Sequence, residues 1–211
     1  MTDRSRHVHL VDDDEAIRRS ASFMLRTSGY LVKTYASGVE LLKAAKEIVP
    51  GCILLDVRMP EMDGLEVQQA LKDKGVLLPV VVMTGHGDVN VAVQAMKAGA
   101  VDFIEKPFEK AVLLSAIEQG FDRLEQSGKR HARAEEARVR LDALTPREYD
   151  VMKGLVRGHP NKTIAYDLDI SPRTVEIHRA NLMTKLGVAS LSEALRIAFA
   201  AGLGDEGGEG A

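Results

Sequence analysis

Carboxylate, hydroxyl and amine side chains end four short apolar segments in the first half of the chain. Asp12 and Asp13 follow the first segment, and the next three segments run into Asp56, Thr84 and Lys106. In an open parallel α/β sheet, the functional crevice lies outside the carboxyl ends of the strands. We therefore expect these five side chains to converge in space, although they span nearly half of the sequence.

Together these side chains are suited to accepting a phosphoryl group on Asp56. An aspartate is a poor nucleophile toward phosphate because both partners are anionic, so a divalent cation must bridge them. Mg²⁺ binds one or two carboxylates with phosphate oxygens and water, which predicts that Asp12 and Asp13 hold Mg²⁺ and that Asp56 is both ligand and acceptor. Thr84 can donate a hydrogen bond to a phosphoryl oxygen, and Lys106 can pair with its charge. Each residue alone also fits an ordinary strand end or turn, but their coincidence favours the site.

The composition is that of a globular protein with two modest domains. The 211 residues are 45% hydrophobic and 28% charged, and the net charge is -3. No apolar run approaches the ~20 residues of a transmembrane helix, and the N-terminus lacks the apolar region of a signal peptide. We therefore expect a cytoplasmic protein with no membrane partner. Cys52 lies inside an apolar run, which predicts a buried structural thiol rather than a redox switch.

The first 125 residues alternate between β-branched runs and helical patterns. Strands are expected near 7–11, 30–35, 51–56, 79–84 and 101–105. Helices are expected near 14–28, 37–48, 64–73, 88–98 and 109–125, with Gly29, Gly75 and Gly99 where helices stop. Strict βα alternation predicts an α/β fold with a doubly wound, five-stranded parallel sheet of the flavodoxin-like kind, covered by helices on both faces.

The rest of the chain has a different character. Residues 126–143 carry dense mixed charge, and Ser127-Gly128 is expected to break the preceding helix. A helical or flexible, solvated linker is the favoured interpretation, and a Glu-rich helix that docks on a partner is the alternative. Residues 144–204 contain only helical patterns and predict an all-α domain of four helices. Residues 205–211 form an acidic, Gly-rich tail.

The helical half combines an excess of basic residues with a helix-turn-helix pattern. Residues 126–204 hold 13 Lys and Arg against 9 Asp and Glu, whereas residues 1–125 hold 15 against 19. A nucleic-acid partner would therefore meet the second half. Two helices joined by a turn at Asp169-Ile170 and braced by further helices form a helix-turn-helix, whose second helix would enter the major groove of double-stranded DNA.

The exposed face of that second helix predicts the DNA contacts. The buried stripe on its other side consists of Val175, Leu182 and Leu186. The residues placed to read base edges are Glu176, Ile177, Ala180 and Asn181, with Thr184 on the same face. The residues placed for phosphate contacts are Lys162, Arg173, Thr174, Arg179 and Lys185. The last helix, expected to run to about residue 201, is a candidate dimer face through Leu191, Ala194, Leu195, Ile197 and Ala198.

Motifs in both halves match a known family. LVDDDE, LLDVRMPEMDG, VMTGHGD and IEKPFE resemble the receiver domain of two-component response regulators, and LTPREYDVMKGLVRGHPNKTIAYDLDISPRTVEIHRANLMTKLGV resembles the LuxR-type output domain of regulators of the FixJ type. The resemblance covers all but the linker and the tail. It implies a transcriptional regulator rather than an enzyme, activated when Asp56 receives a phosphoryl group from a sensor histidine kinase.

The resemblance also implies roles for the residues around Asp56. Asp13 and Asp56 would ligate Mg²⁺ directly, the backbone carbonyl of Arg58 would be a third ligand, and Asp12 would act through water. Arg58 and His86 would tune the lifetime of the phosphate. These roles come from the family's motifs and not from spacing alone.

Two further implications concern how the signal is passed on. Thr84 and Phe103 would form a switch pair, and the phosphorylated receiver would form a homodimer around Asp88–Gly99 and Val101–Glu105. The unphosphorylated receiver would mask or misplace the output domain. The regulator would then bind promoter DNA and act on RNA polymerase as an activator, with a signal linked to oxygen or nitrogen fixation.

Two other functions are compatible with parts of the sequence. A phosphohydrolase that forms an aspartyl-phosphate would resemble D-x-D at its nucleophile, whereas this chain has Arg58 two residues after Asp56. A receiver that acts through protein contact alone would bind DNA poorly or without a dependence on salt, since phosphate contacts make DNA binding fall steeply as salt rises.

Overall fold

A computed structural model of the chain describes residues 6–85 and 89–204. The predicted tail 205–211, His86 and the start of the predicted fourth helix at Asp88 lie outside the described residues. The chain divides into two compact units, Met1–Ser127 and Gly128–Ala211. Within the described ranges, no helix combines the length and apolar character needed to cross a membrane.

The first unit is a five-stranded parallel sheet with strand order β2-β1-β3-β4-β5. The strands are β1 (His7–Val11), β2 (Leu31–Tyr35), β3 (Gly51–Asp56), β4 (Val80–Thr84) and β5 (Asp102–Glu105). The helices between them are α1 (Glu15–Arg26), α2 (Gly38–Ala44), α3 (Gly64–Asp73) and α4 (Val89–Lys97), with a 3₁₀ turn at Ala45–Glu47 and α5 beginning at Lys110. The predicted doubly wound α/β fold is confirmed.

Local sequence signals set the ends of these helices. The side chains of Asp14, Ser37 and Asp63 accept hydrogen bonds from the first turns of α1, α2 and α3, which satisfies donors that a helix N-terminus leaves free. After α1 and α3, Gly29 and Gly75 have φ values of 92° and 74°, which a residue without Cβ adopts at little cost. The strands therefore begin near the predicted positions.

Two apolar layers cover the sheet. Leu10, Leu54 and Met83 belong to a buried cluster with residues of α1 and α5, whereas Val11 and Leu55 belong to a second cluster with residues of α2, α3 and α4. Alternate residues of one strand thus face opposite layers, as the two-residue period of a strand requires. Burial on both faces explains the continuous apolar runs of β3 and β4.

Cys52 is fully buried in the layer that contains α1 and α5, and burial raises the pKa of its thiol to about 12. Because the thiolate is the reactive species, we expect native protein to resist a thiol-reactive dye at pH 8 and to react once unfolded in urea. Mass spectrometry of timed samples measures the modification. Labelling of the native chain at the rate of an unfolded control would contradict a purely structural thiol.

The fifth helix runs without a break past the residues where a break was predicted. Helix α5 extends over Lys110–Asp142 and includes Ser127 and Gly128. A single glycine costs a helix interior only about 1 kcal/mol, so the flanking helix formers outweigh it. The prediction of a helix end at Ser127-Gly128 was wrong.

The second unit consists of helices. After α5 come α6 (Pro146–Val156), α7 (Asn161–Asp167), α8 (Pro172–Leu186) and α9 (Leu191–Ala200). The side chains of Thr145, Ser171 and Ser190 cap three of these helices. Gly187, in the left-handed conformation, ends α8. The predicted all-α domain and the order of its four helices are confirmed.

The end of α5 belongs to the core of the second unit. Ala137 and Leu141 are buried in the cluster that contains Val151, Ile164 and Leu182. The interpretation of residues 126–143 as a wholly solvated linker is therefore wrong at its C-terminal end. The dense mixed charge of this segment led to the prediction of a solvated helix. Ala137 and Leu141 are four residues apart and therefore lie on one face of the helix.

Candidate functional site

Three carboxylates converge where the first and third strands end. Asp12 and Asp13 follow β1, and Asp56 ends β3, the strand paired with β1 in parallel register from His7↔Gly51 to Val11↔Leu55. Each of the three offers an oxygen, and these oxygens lie within 4.8 Å of one another. Asp12 and Asp56 are buried, whereas Asp13 is exposed. The site thus lies at the point where the strand order reverses, as expected for a doubly wound sheet.

Lys106 follows β5 and supplies the positive charge of the site. Its Nζ atom lies 2.6 Å from Oδ2 of Asp12 and 2.9 Å from Oδ1 of Asp56. Burial favours the neutral amine and so lowers the pKa of Lys106, but the two carboxylates outweigh burial and raise that pKa above its ordinary value. The lysine is therefore charged and holds both carboxylates.

The surroundings of Asp56 shift its pKa in opposing ways. Burial raises the pKa of Asp56 above its ordinary value, and the charge of Asp12 adds to the rise. Hydrogen bonding to Lys106 and to the backbone of Arg58 opposes it. An additional cation beside these buried carboxylates would lower the pKa, because it stabilises the charged form.

Asp14, the cap of α1, and Arg18 within α1 hold Asp12 in position, and neither residue was predicted to do so. The backbone N–H of Asp14 donates to Oδ1 of Asp12 at 2.9 Å, and Nη1 of Arg18 donates to the backbone oxygen of Asp12 at 2.6 Å. The Asp14 carboxylate in turn caps α1 by accepting from Ala16 N–H. An arginine one turn after an acidic cap was the signal that could have identified this contact.

The donor set fits a hard divalent cation such as Mg²⁺. Asp12, Asp13 and Asp56 provide only oxygen ligands, and the exposure of Asp13 leaves one side of the group open to water and phosphate oxygens. Mg²⁺ binds to such sets through one or two carboxylates while keeping several waters. The neighbouring Lys106 offsets part of the negative charge that would otherwise oppose phosphate binding.

The two predicted switch residues lie on the neighbouring strands β4 and β5. Thr84, at the end of β4, is 3% exposed and its hydroxyl donates to the backbone oxygen of Ile104 at 3.5 Å. Phe103 in β5 is 46% exposed, which is unusual for a large aromatic residue in a strand. Their role as a switch pair stays a prediction.

Gly64 begins α3 against the strand that carries Asp56. A Cβ atom at this position would lie 2.4 Å from the backbone oxygen of Asp56 and 2.8 Å from Cα of Val57. We expect Gly64→Ala to destabilise the receiver by about 1–3 kcal/mol because backbone atoms must move. Urea unfolding measures the loss. Gly128→Ala is the matched control, since nothing lies within 4 Å of a Cβ atom added at Gly128. Because Gly128 lies inside a helix, this change should raise the free energy of unfolding by about 0.5–1 kcal/mol. Equal stability of the two variants would contradict the close approach.

The predicted recognition helix α8 exposes the predicted face. Its buried side consists of Val175, Leu182 and Leu186. The exposed residues on its other side are Arg173, Glu176, Ile177, Ala180, Asn181 and Thr184. Ile177 is 53% exposed. Tyr166 in α7, which the sequence did not mark as functional, is 87% exposed. An exposed Ile177 on the predicted recognition face is compatible with contact to a partner.

Two of the basic residues predicted to contact phosphates already have partners inside the domain. Nη1 of Arg179 donates to the side-chain oxygen of Asn161 at 2.7 Å, which joins α8 to α7. Nζ of Lys185 lies 2.7 Å from Oε2 of Glu148, a carboxylate that is only 4% exposed. Hydrogen bonds from Lys185 and the Thr145 backbone lower the pKa of Glu148. Both side chains therefore also brace the helix-turn-helix, and their contact with DNA stays a prediction.

Comparisons with known proteins assign both halves of the chain. Residues 8–118 match the response regulator receiver domain, and residues 142–198 match the luxR family of bacterial regulatory proteins. The chain is 48% identical to the transcriptional regulatory protein FixJ of Rhizobium meliloti (strain 1021) over 97% of this chain and 99% of that protein.

Solved structures give the same result. Full-length FixJ from B. japonicum is 45% identical and covers 94% of this chain and 98% of its own, with a TM-score of 0.59. The response regulator StyR is 37% identical, with a TM-score of 0.71 over 92% of this chain and 98% of its own. The chain therefore belongs to the two-component response regulators of the FixJ type, in which a receiver domain is joined to a LuxR-type DNA-binding domain.

Proposed function

We propose that Asp56 accepts a phosphoryl group from the phosphohistidine of a sensor histidine kinase, and that this event controls the binding of promoter DNA. The convergence of Asp12, Asp13 and Asp56 on Lys106 carries the proposal. A carboxylate oxygen of Asp56 attacks phosphorus, and the bond from phosphorus to the imidazole nitrogen breaks. Lys106 then donates a hydrogen bond to a phosphoryl oxygen. The negative charge that the phosphoryl group adds is thus partly neutralised by an ammonium group that is already in place.

Mg²⁺ is the cofactor that this proposal requires. Asp13 and Asp56 would hold it directly, with the backbone carbonyl of Arg58, and Asp12 would contribute through water. When bound, Mg²⁺ neutralises the charge that keeps two anions apart. Asp14 and Arg18 support the site by holding Asp12 in place.

Thr84 and Phe103 are the proposed route by which the phosphate changes the receiver surface. The phosphoryl group attracts the Thr84 hydroxyl away from its long bond with Ile104, and the exposed Phe103 ring turns inward into the space released. The new surface, around α4 and β5, favours a homodimer. The phosphoryl group adds a charge of about -1.5 to -2, and this charge stabilises the changed surface over the original one.

The activated dimer is proposed to read promoter DNA with α8 and to act on RNA polymerase. Glu176, Ile177, Ala180 and Asn181 would meet base edges, and the exposed Lys162 and Arg173 would meet phosphates. Two half-sites read by two copies would supply the affinity that one small domain lacks. Transcriptional activation, an oxygen-linked signal and a cytoplasmic location are part of this proposal, by likeness to the FixJ relatives.

Asn181→Ala and Lys162→Ala distinguish a predicted contact with a base edge from a predicted contact with a phosphate. Asn181→Ala should weaken DNA binding by about 1–3 kcal/mol, because one base-edge contact is lost. The preference for one base at the contacted position should also be relaxed. Lys162→Ala should weaken binding equally on all sequences and reduce the salt slope by about 1. DNA selection followed by binding at several salt concentrations measures both effects. Wild-type binding that is unselective and insensitive to salt would favour a receiver that acts by protein contact alone.

A further inference from the structure

The predicted recognition helix α8 is held at its C-terminal end by a side chain of α5. Nη2 of Arg140 donates a hydrogen bond to the backbone oxygen of Leu186, the last residue of α8. This oxygen is one of the carbonyl groups for which a helix end provides no partner in its own backbone. The negative end of the helix dipole also lies there, which favours a guanidinium group. Arg140 therefore stabilises the end of α8 from a different helix.

The last turns of α5 give Arg140 a fixed base. Ala137 and Leu141 lie three residues before and one residue after Arg140, and both are buried. They belong to the apolar cluster that also contains Leu182 and Leu186 of α8. Residues three or four positions apart share one face of a helix, so Arg140 approaches α8 from the same face as this apolar contact. The side chain itself is half-buried.

Two further polar contacts hold α8 against its neighbours. Nη1 of Arg179 donates to the side-chain oxygen of Asn161 in α7 at 2.7 Å. Nζ of Lys185 donates to Oε2 of the buried Glu148 in α6, also at 2.7 Å. Together with the bond from Arg140, these contacts connect α8 to one side chain from each of α5, α6 and α7. Two of the three lie in the last turn of α8, which is therefore the end that they hold most firmly.

The residues predicted to read bases lie close to this end of the helix. The reading face of α8 consists of four exposed residues, Glu176, Ile177, Ala180 and Asn181. Asn181 precedes Leu186 by five residues, which is about 7.5 Å along the helix axis. Side chains that form specific contacts have to be held within about 10–20° of their productive orientation. A movement of the end of α8 would therefore change the geometry at the base edges.

We propose that Arg140 is a positioning residue for DNA recognition, which holds the end of α8 so that the reading face meets the major groove in one orientation. This inference rests on the proposed function of α8 as the reader of promoter DNA. Arg140 acts through Leu186 and does not bind DNA phosphate itself. Its loss therefore reduces the discrimination between DNA sequences and leaves the number of neutralised phosphates, which sets the salt dependence of binding, unchanged.

DNA binding by the full chain with Mg²⁺ and beryllofluoride tests the proposal. Two duplexes are compared at several salt concentrations, one selected by the wild type from a random pool and one with the same bases in scrambled order. Arg140→Met keeps the apolar stem of the side chain and removes its donors and charge. We expect the ratio of the two affinities to fall about ten-fold in this variant, with the salt slope of the wild type. Arg140→Lys, which retains a cationic donor, should restore most of the ratio.

Arg133→Met is the matched control, because Arg133 is an exposed arginine of the same helix, and it should discriminate as the wild type does. Each protein is measured at a temperature at which its circular dichroism matches that of the folded wild type, so that a loss of stability alone does not change the ratio. An unchanged ratio in Arg140→Met, an equal loss in Arg133→Met, or a salt slope reduced by about 1 in Arg140→Met would overturn the inference. A wild type that prefers no duplex would instead overturn the proposed function itself.

Discussion

Asp56→Asn should abolish phosphorylation of this protein by acetyl phosphate and Mg²⁺, with no residual transfer to the neighbouring aspartates. The amide keeps the shape of the side chain but lacks the nucleophilic oxygen pair, and the Lys106 ion pair to Asp12 at 2.6 Å is retained. The fold should therefore persist while the chemistry is lost. Intact-protein mass spectrometry measures the gain of one phosphoryl group in the wild type and none in the variant.

Asp13→Asn is the control that separates the loss of a metal ligand from the loss of the phosphoryl acceptor. Asp13 is exposed and is predicted to ligate Mg²⁺ without accepting phosphate. Its variant should be phosphorylated more slowly and should need more Mg²⁺, but the product should still form. A phosphoryl group found on the Asp56→Asn protein would mean that Asp12 or Asp13 is the acceptor, and the assignment of roles within the cluster would be wrong.

Lys106→Ala should destabilise the receiver. It should also allow phosphorylation of Asp56 while removing the gain in DNA affinity that phosphorylation produces. The variant leaves the carboxylates of Asp12 and Asp56 buried together with no cation between them. Removing one partner of a buried ion pair costs about 3–5 kcal/mol, and we expect about 3 kcal/mol here because 19% of the lysine side chain is exposed. Urea unfolding measures this loss, and Mg²⁺ should restore part of it.

The functional effect of Lys106→Ala is expected at a later step. Phosphate can still form on Asp56, but it no longer meets the ammonium group that links it to the end of β5. DNA affinity should then gain little from acetyl phosphate. Lys110→Ala, an exposed lysine four residues later in the sequence, is the control and should behave like the wild type. A full phosphate-dependent gain in Lys106→Ala would exclude Lys106 from signal transmission.

The convergence of Asp12, Asp13, Asp56 and Lys106 could be predicted from the sequence because these residues stand at strand ends. Apolar runs as regular as those before Asp56 and Thr84 specify buried parallel strands, and a parallel sheet brings the carboxyl ends of its strands to one edge. The helix starts at Asp14, Thr145 and Ser171 depend on signals that are equally local, since a cap needs only a side chain and a backbone N–H a few residues away.

Features that depend on distant partners were not predictable in the same way. The burial of Ala137 and Leu141 follows from packing against α6, α7 and α8, and local mixed charge indicated a solvated helix instead. The bond between Arg179 and Asn161 joins residues 18 positions apart, and a basic residue on a helix suggests a phosphate contact equally well.

The molar mass of the full chain in solution, with Mg²⁺ and with or without beryllofluoride, tests the central claim most directly. Beryllofluoride mimics the phosphoryl group on an aspartate, so the wild type should change from a monomer of 23.0 kDa to a dimer. The Asp56→Asn protein should remain monomeric under both conditions. A wild type whose mass does not change at any protein concentration, or an Asp56→Asn protein that dimerises with the mimic, would contradict a switch operated by phosphorylation of Asp56.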